Sequence, residues 1–392
     1  MPRRTMPGVF IEETPTTAKA IEGVATAVTA FVGITSRDSL SKPKLVKSMT
    51  DYLDLFGLLF SSDDVMTLAV NAFFLNGGRR AYICPVVSDA QTASSSSTLH
   101  AYTRFFDKVL ASLAINIIVL PGQCWAEDGT GNAIISIAQA HCDKLENRML
   151  IIDPPETLAL RNENAVRRMA LPISDYTVIY YPWVGMANPV FHRRSGSTSL
   201  TVSKTVNVAP SAIAAGIWSK IDERRGVWKS PAGLQLTGAS SLTFNVTGFE
   251  QQQLNPLAVN CIRKFPRRGM MLWGARTLSS TSEWRYISVR RLAIYIKESI
   301  NKSIDWAVFE PNDEPLWLSL RGVVEGFMLG LFREGALQGN KVDEAFFVRV
   351  GLGETMTQSD IVRGRLIIEI GFAPLKPAEF VIVGITKKMA NN

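Results

Sequence analysis

Trp273-Gly-Ala-Arg-Thr-Leu278, then Trp284-Arg-Tyr-Ile-Ser-Val-Arg-Arg-Leu292 and a long run to Trp306, form the stretch around which the chain is organised. From Val289 the small and apolar residues Ala293, Ile296, Ile300, Ile304 and Ala307 recur at steps of three and four, which places them on one helical face. The other face carries Arg290, Arg291, Lys297, Glu298, Asn301, Lys302 and Asp305, with Glu298 one turn ahead of Lys302 in the orientation that favours a surface ion pair. The spacing predicts a long amphipathic helix with a buried stripe and a charged face that is solvated or set against a charged partner.

Downstream, residues 282–376 read as an α+β domain built on that helix. Its second helix, Leu316 to about Phe332, carries Gly322, Gly326 and Gly330 on one stripe. Each interior Gly costs about 1 kcal/mol against Ala, so a second element packed close to the backbone is expected to offset them. A strand follows at 366–370. Upstream, residues 24–281 read as an α/β domain: from 24 to about 171 apolar β-type runs alternate with helical patterns, the signature of a largely parallel sheet, and the region after the helix at 211–223 to about 278 is strand-rich. The expected strands are 25–34, 81–87, 115–120, 149–153 and 177–181. Ser48 is expected to cap a helix over 49–56 that Gly57 stops, and Ser62 to open the next. Further helices are expected over 99–113, 132–146 and 211–223. The serines at 94–97 and the run Ser195-Gly-Ser-Thr-Ser199 read as surface connections.

Two β-prone runs lie outside these domains. Residues 1–23 read as an arm and linker whose strand is Val9, Phe10, Ile11 and Glu12; residues 377–392 read as a second arm with Phe380, Val381, Ile382 and Val383. Each is too short to fold alone and needs another strand beside it.

The chain has 392 residues, 46% hydrophobic, enough for two cores. Its formal charge of +7 points to an acidic protein partner more than to nucleic acid, because the basic pairs come without a zinc-finger spacing, an aromatic RNA-binding signature or a long basic run. Cys84, Cys124, Cys142 and Cys261 show no CxxC spacing and suit free thiols in a reducing compartment. Val9-Phe-Ile11 runs straight into Glu12-Glu13, so no secretory signal is expected. No membrane span is expected either: the strongest candidate, 323–332, contains Glu325 and is far below the roughly 20 residues a span requires.

The chain resembles the tail sheath family of contractile phage tails, R-type pyocins and extracellular contractile injection systems. The resemblance is carried by Met6-Pro-Gly-Val-Phe-Ile-Glu-Glu13, Phe31-Val-Gly-Ile34, Tyr52-Leu-Asp-Leu-Phe-Gly57, Phe74-Leu-Asn-Gly-Gly78 with Arg80-Ala-Tyr82, and Ala214-Ala-Gly-Ile217. Arg225-Gly-Val-Trp228, Trp273-Gly-Ala-Arg-Thr-Leu278, Phe309-Glu-Pro-Asn312 and Ala373-Pro-Leu-Lys-Pro-Ala-Glu-Phe380 continue it. Their order and spacing along one chain make the match specific. The resemblance implies a subtilisin-like α/β body, an α+β C-terminal sheath domain, and extended N- and C-terminal β-arms. It implies a structural subunit, not an enzyme, that polymerises helically around an inner tube, contracts from a metastable extended state and drives the tube through a target cell envelope. Partners would be further copies of itself through exchanged arms, the inner tube, and baseplate and tail-terminator or cap proteins. No nucleic acid, membrane insertion or cofactor is called for, and the particle would be assembled in the bacterial cytoplasm. Arg290, Arg291, Lys297 and Lys302 are the candidates to face the tube, with a merely solvated helix face as the alternative.

A subtilisin-like body invites a second hypothesis, a hydrolase with an unrecognised active site. That chemistry needs a nucleophilic Ser, a His base and an orienting carboxylate. Only His100, His141 and His192 are available as base, none beside a nucleophile motif, and no Gly-x-Ser-x-Gly elbow occurs. Asp153 ends an apolar strand where α/β enzymes often place a carboxylate; a turn or a helix cap explains it as well, and the turn is preferred. Cys124, His141 and Cys142 match no zinc spacing, and no phosphate loop is present. A basic nucleic-acid packaging protein is a third reading.

Overall fold

The computed structural model describes residues 20–35, 42–57, 64–86, 95–189 and 203–379. Both arm strands, 9–12 and 380–383, lie outside the described residues, as do His192, Ser62 and the 195–199 run. The chain divides into two compact units, one of residues 24–296 with 374 onward, the other of residues up to 23 with 297–373.

The larger unit is built on a mixed sheet of eight strands: β1 (Thr29–Gly33), β2 (Lys44–Val46), β3 (Ala81–Pro85), β4 (Ile117–Cys124), β5 (Met149–Asp153) and β6 (Thr177–Tyr181), completed later in the chain. A separate three-stranded antiparallel sheet intervenes, made of β7 (Val184–Ala187), β8 (Thr205–Val208) and β9 (Ala239–Leu242). Then β10 (Val259–Phe265) and β11 (Gly269–Trp273) finish the main sheet in the order β11-β10-β6-β5-β4-β1-β3-β2. The six inner strands are parallel, and β2 and β11 are antiparallel flanks. Every residue of β1, β5 and β6 is buried, as strands covered on both faces require.

The two-residue strand period sends alternate side chains to two cores. Phe31, Val119, Ile151, Tyr180 and Ile262 pack with helices α1 (Met49–Phe56) and α2 (Val65–Leu75) on one face, while Val32, Ile118, Ile152 and Tyr181 pack on the other. There they meet α3 (Ser95–Lys108), α4 (Asn132–Leu145) and α5 (Glu163–Arg168). On the first face α6 (Pro210–Arg225) is buried on all sides from Pro210 to Ser219. It touches α2 so closely that a Cβ at Gly216 would lie 2.4 Å from the carbonyl oxygen of Phe73. The body closes with α7 (Gly248–Leu254), and α8 (Ile287–Ser303) carries the chain into the second unit.

Local signals explain most helix ends. Ser48 accepts from the Asp51 N–H and opens α1, and Gly57 ends it at φ 85°. Asp64, not Ser62, caps α2, accepting from the Thr67 N–H. The serine run is no connection beyond its first residue, because α3 starts at Ser95.

The second unit holds α9 (Glu314–Arg333), α10 (Val342–Ala345), β12 (Phe346–Arg349), α11 (Gln358–Val362) and β13 (Glu369–Phe372), with β12 and β13 paired antiparallel. The strand sits three residues later than the expected 366–370. At 20 residues α9 is long and apolar enough, by length and composition alone, to cross a membrane. It buries Leu316, Leu320, Val324, Met328 and Leu331 along one stripe, and its mid-helix Arg321 pairs with Glu354 at 2.6 Å, the marks of a helix packed on one side. The close packing expected at its glycines is absent: a Cβ on Gly322, Gly326 or Gly330 would meet nothing within 4 Å. Among the described residues nothing offsets their cost.

Candidate assembly site

The opening motif, Trp273 to Leu278, is a clamp on the chain at residue 379. Asn260 on β10, fully buried, donates to the Ile179 and Arg276 carbonyls at 3.0 and 2.7 Å and accepts from the Arg276 N–H at 2.7 Å. That bracket requires glycine at 274, where a Cβ would lie 2.8 Å from the Asn260 Cα. Arg276 then reaches residue 379: its Nε donates to Glu379 at 2.9 Å, a second guanidinium nitrogen pairs with the other Glu379 oxygen, and a third donates to the Asn255 carbonyl at 3.0 Å. With side chains 11% and 15% exposed, this two-pronged pair fixes the chain at the last of the described residues. A cleft of about 350 Å³, lined by Lys229, Gln251, Asn255, Trp273 and Pro377 among others, opens beside it.

The helix after Trp284 departs from expectation at its first turn. Arg290 and Arg291 were expected on the charged face, open to a partner; both are buried, at 7% and 4% exposure. Arg290 lies 3.6 Å above the Trp284 ring and pairs with Asp175 at 2.6 Å. Arg291 pairs with Asp222 through two contacts of 2.9 and 2.5 Å and lies over Trp218. Asp222 also accepts from the Thr26 hydroxyl, and Arg291 donates to the Thr26 carbonyl, so this pair pins the segment that leads into β1. The two arginines are therefore internal ties and not partner-facing charges. Lys297 and Lys302 do stand exposed, on the same helix. The buried stripe is met at Ile296 and Ile300, whereas Ala293, Ile304 and Ala307 are half-buried.

Sequence reasoning missed these internal pairs because the partners Asp175 and Asp222 are far away in the chain. The nearby signal was aromatic: a guanidinium beside Trp or Tyr is stabilised by the ring face, and Trp284 supplies one within the same stretch, joined in the fold by the distant Tyr176.

The pieces a hydrolase needs are not brought together among the described residues. Asp153 accepts from the Ser211 N–H at 2.8 Å and from its hydroxyl at 2.5 Å, so it caps α6, whose own N-cap, Ala209, has no side chain to do so. The cap, not the preferred turn, accounts for this carboxylate. Burial pushes Asp153 up to about 7, against the lowering effect of both Ser211 hydrogen bonds. His141 sits elsewhere, edge-on to Phe106 and 3.3 Å from Arg148; burial first, then Arg148, lowers it to about 4. His100 is on α3. No group of three or more metal-ligating side chains occurs among the described residues. All four cysteines are free, and burial raises the Cys124 thiol to about 12.

A family profile described as phage tail sheath protein central domain matches residues 96–278, and one described as phage tail sheath C-terminal domain matches 279–386. The chain is similar to the tail sheath protein of Escherichia phage P2, 26% identical over 183 residues, which are 45% of this chain and 44% of that protein. It thus spans less than half the length of the curated relatives it matches. Over its whole length it is similar to the contracted sheath complex of an extracellular contractile injection system, PVC, with 30% identity, 99% of each chain covered and a TM-score of 0.79. It is also similar to a chain in the six-fold symmetrised baseplate structure of the anti-feeding prophage: 32% identity, 98% of this chain and 100% of that one, TM-score 0.76.

Proposed function

The chain belongs to the tail sheath family of contractile phage tails and phage-tail-like particles, and from that premise we propose that it polymerises as a helical sleeve around an inner tube and contracts to drive that tube through a cell envelope. The observation that carries the reading is the Arg276–Glu379 clamp, which fixes the chain against the body directly ahead of the β-prone run 380–383. Thr26, held by Arg291 and Asp222, does the same at the other end. Two strands tethered at rigid roots can each add to a neighbour's sheet, a contact that repeats without closing. The two-stranded sheet β12–β13 suits them as acceptor, because a pair of strands is marginal alone and neither of its outer edges is paired among the described residues.

The parts are then an N-terminal arm over 1–23, a subtilisin-like body over 24–281, a C-terminal sheath domain over 282–376 and an arm over 377–392. The parallel sheet with helices on both faces supports the subtilisin-like description. Further partners are the inner tube, approached by Lys297 and Lys302, and baseplate and tail-terminator proteins. Four free thiols fit folding in a reducing cytoplasm. Negative-stain microscopy of the purified protein tests the reading: hollow cylinders or helical fragments are expected, and a discrete oligomer that reacts with serine-directed probes would replace it with the hydrolase.

A further inference from the structure

The second unit carries an exposed knob. Phe309 is fully exposed, at 102%, and Val308 beside it is 60% exposed. The Phe309 backbone stands at φ 73°, the left-handed region that disfavours L-residues with a side chain. Hydrogen bonds hold it there: the Val308 N–H donates to Asp305 at 3.2 Å, and Asn312 ties the turn down by donating to the Arg365 carbonyl and accepting from the Trp317 indole. A turn held under strain so that a phenyl ring projects into water has the character of an interface anchor. Glu310 follows it in the chain and Glu314 opens α9, both exposed and without an ion pair among the described residues.

The body, taken separately, carries a matching hollow. At the β10–β11 turn a cleft of about 480 Å³ is floored by Val246, Phe265 and Pro266. Trp273 packs on Phe265 with ring centres 4.6 Å apart, which keeps that ring in place. Lys264, Arg267 and Arg268 rim the cleft or flank it, exposed and without an ion pair among the described residues. The knob is apolar with acidic residues close by in the chain; the hollow is apolar with a basic rim.

We infer that the Phe309 turn of one subunit seats in the β10–β11 cleft of a second copy, with Glu310 and Glu314 against Lys264 and Arg267. Charge selects the partner: an acidic knob needs a basic acceptor, and this chain, with its net +7, presents one. Because knob and hollow are different patches, the contact is heterologous and propagates, as a helical sleeve requires. The inference rests on the sheath reading and deepens it by naming a contact that does not involve the arms.

The test places the photo-crosslinking residue p-benzoylphenylalanine at position 309 in assembled sheaths, made from mixed isotope-labelled and unlabelled subunits. The expected product joins position 309 to residues 245–269 of a different copy. A crosslink to a tube protein or to another sheath surface, or none in assembled sheaths, overturns the inference. Phe309→Ala and Lys264→Glu provide the second measurement. Each is expected to raise the protein concentration needed for assembly on the order of tenfold without moving the subunit's melting temperature, and Glu310→Lys is expected to rescue Lys264→Glu. An unchanged threshold in the single variants overturns it. Failure of unmodified protein to form sheaths would instead count against the sheath reading itself.

Discussion

Residues 24–296 and residues 297–373 treat apolar surface differently. The first unit hides it: the eight-stranded sheet has a core on each face, and two of its buried arginines are paired, Arg291 with Asp222 and Arg290 with Asp175. Residues 297–373 leave Val308, Phe309, Leu318, Val342, Phe347, Leu352, Val362 and Ile367 exposed, half of all the large exposed apolar residues described. Among the described residues they also leave a two-stranded sheet unpaired at its edges and three glycines on an open helix face. Exposed apolar surface of this extent marks a site of protein contact, and under the proposed sheath reading the body would supply rigidity and the second unit contacts.

The comparison breaks first at the buried pair. Asp222→Ala leaves Arg291 charged, buried and without its carboxylate, and is expected to cost the body about 3–5 kcal/mol, read as a large drop in melting temperature. A loss under about 1 kcal/mol, the range of exposed pairs, would mean that the body is held otherwise.

Glycine substitutions sharpen the contrast. Gly274→Ala drives a methyl into Asn260 and should destabilise the body by roughly 1–3 kcal/mol. Gly326→Ala meets open space, so the isolated subunit should gain about 1 kcal/mol in helix propensity. Chemical denaturation of both variants checks the opposite signs; a destabilised Gly326→Ala would show that the glycine face is already covered within the subunit.

Two buried titratable groups of the body, Asp153 and His141, oppose each other with pH. Asp153, raised from 3.8 to about 7, contributes stability below pH 3.8 that is lost as pH rises through 7. His141, lowered from 6.5 to about 4, contributes stability above pH 6.5 that is lost as pH falls through 4. Asp153→Asn keeps an acceptor for the Ser211 N–H and removes the first of these, so its stability relative to the parent should rise from pH 4 to 7. A flat or falling difference in melting temperature across that range would show that Asp153 stays ionised in the folded protein.

The smallest effect on folding is expected from Lys297→Glu with Lys302→Glu, within about 0.5 kcal/mol because both side chains are exposed. Their effect should fall on extended-state assembly around a tube instead, and an unchanged yield of extended particles would remove the tube-facing role.

Much of the body was legible because its signals are local. The apolar runs at 149–153 and 177–181 are β5 and β6 residue for residue, and Ser48 and Gly57 bound α1 as expected. The long helix was legible from its period, but the fate of Arg290 and Arg291 was not. A helical period tells which face a charge is on, whereas only the fold brings Asp175 and Asp222 to that face. Asp153 failed for the same reason: the helix start it caps lies 58 residues on. The glycine stripe on α9 was visible in the sequence, yet the tight neighbour inferred from it is absent among the described residues. Arg276 was legible as part of a motif and silent about its purpose, since its partner Glu379 is 103 residues away.

Arm truncation tests the central claim most directly. The C-terminal cut belongs after Glu379, so that Arg276 keeps its carboxylate and the body its fold; the N-terminal cut removes residues 1–20, ahead of the Thr26 tie. Electron microscopy of each variant is expected to show folded, soluble subunits that form no sheath. Normal contractile sheaths from either variant would contradict the account and place the lattice on some other surface.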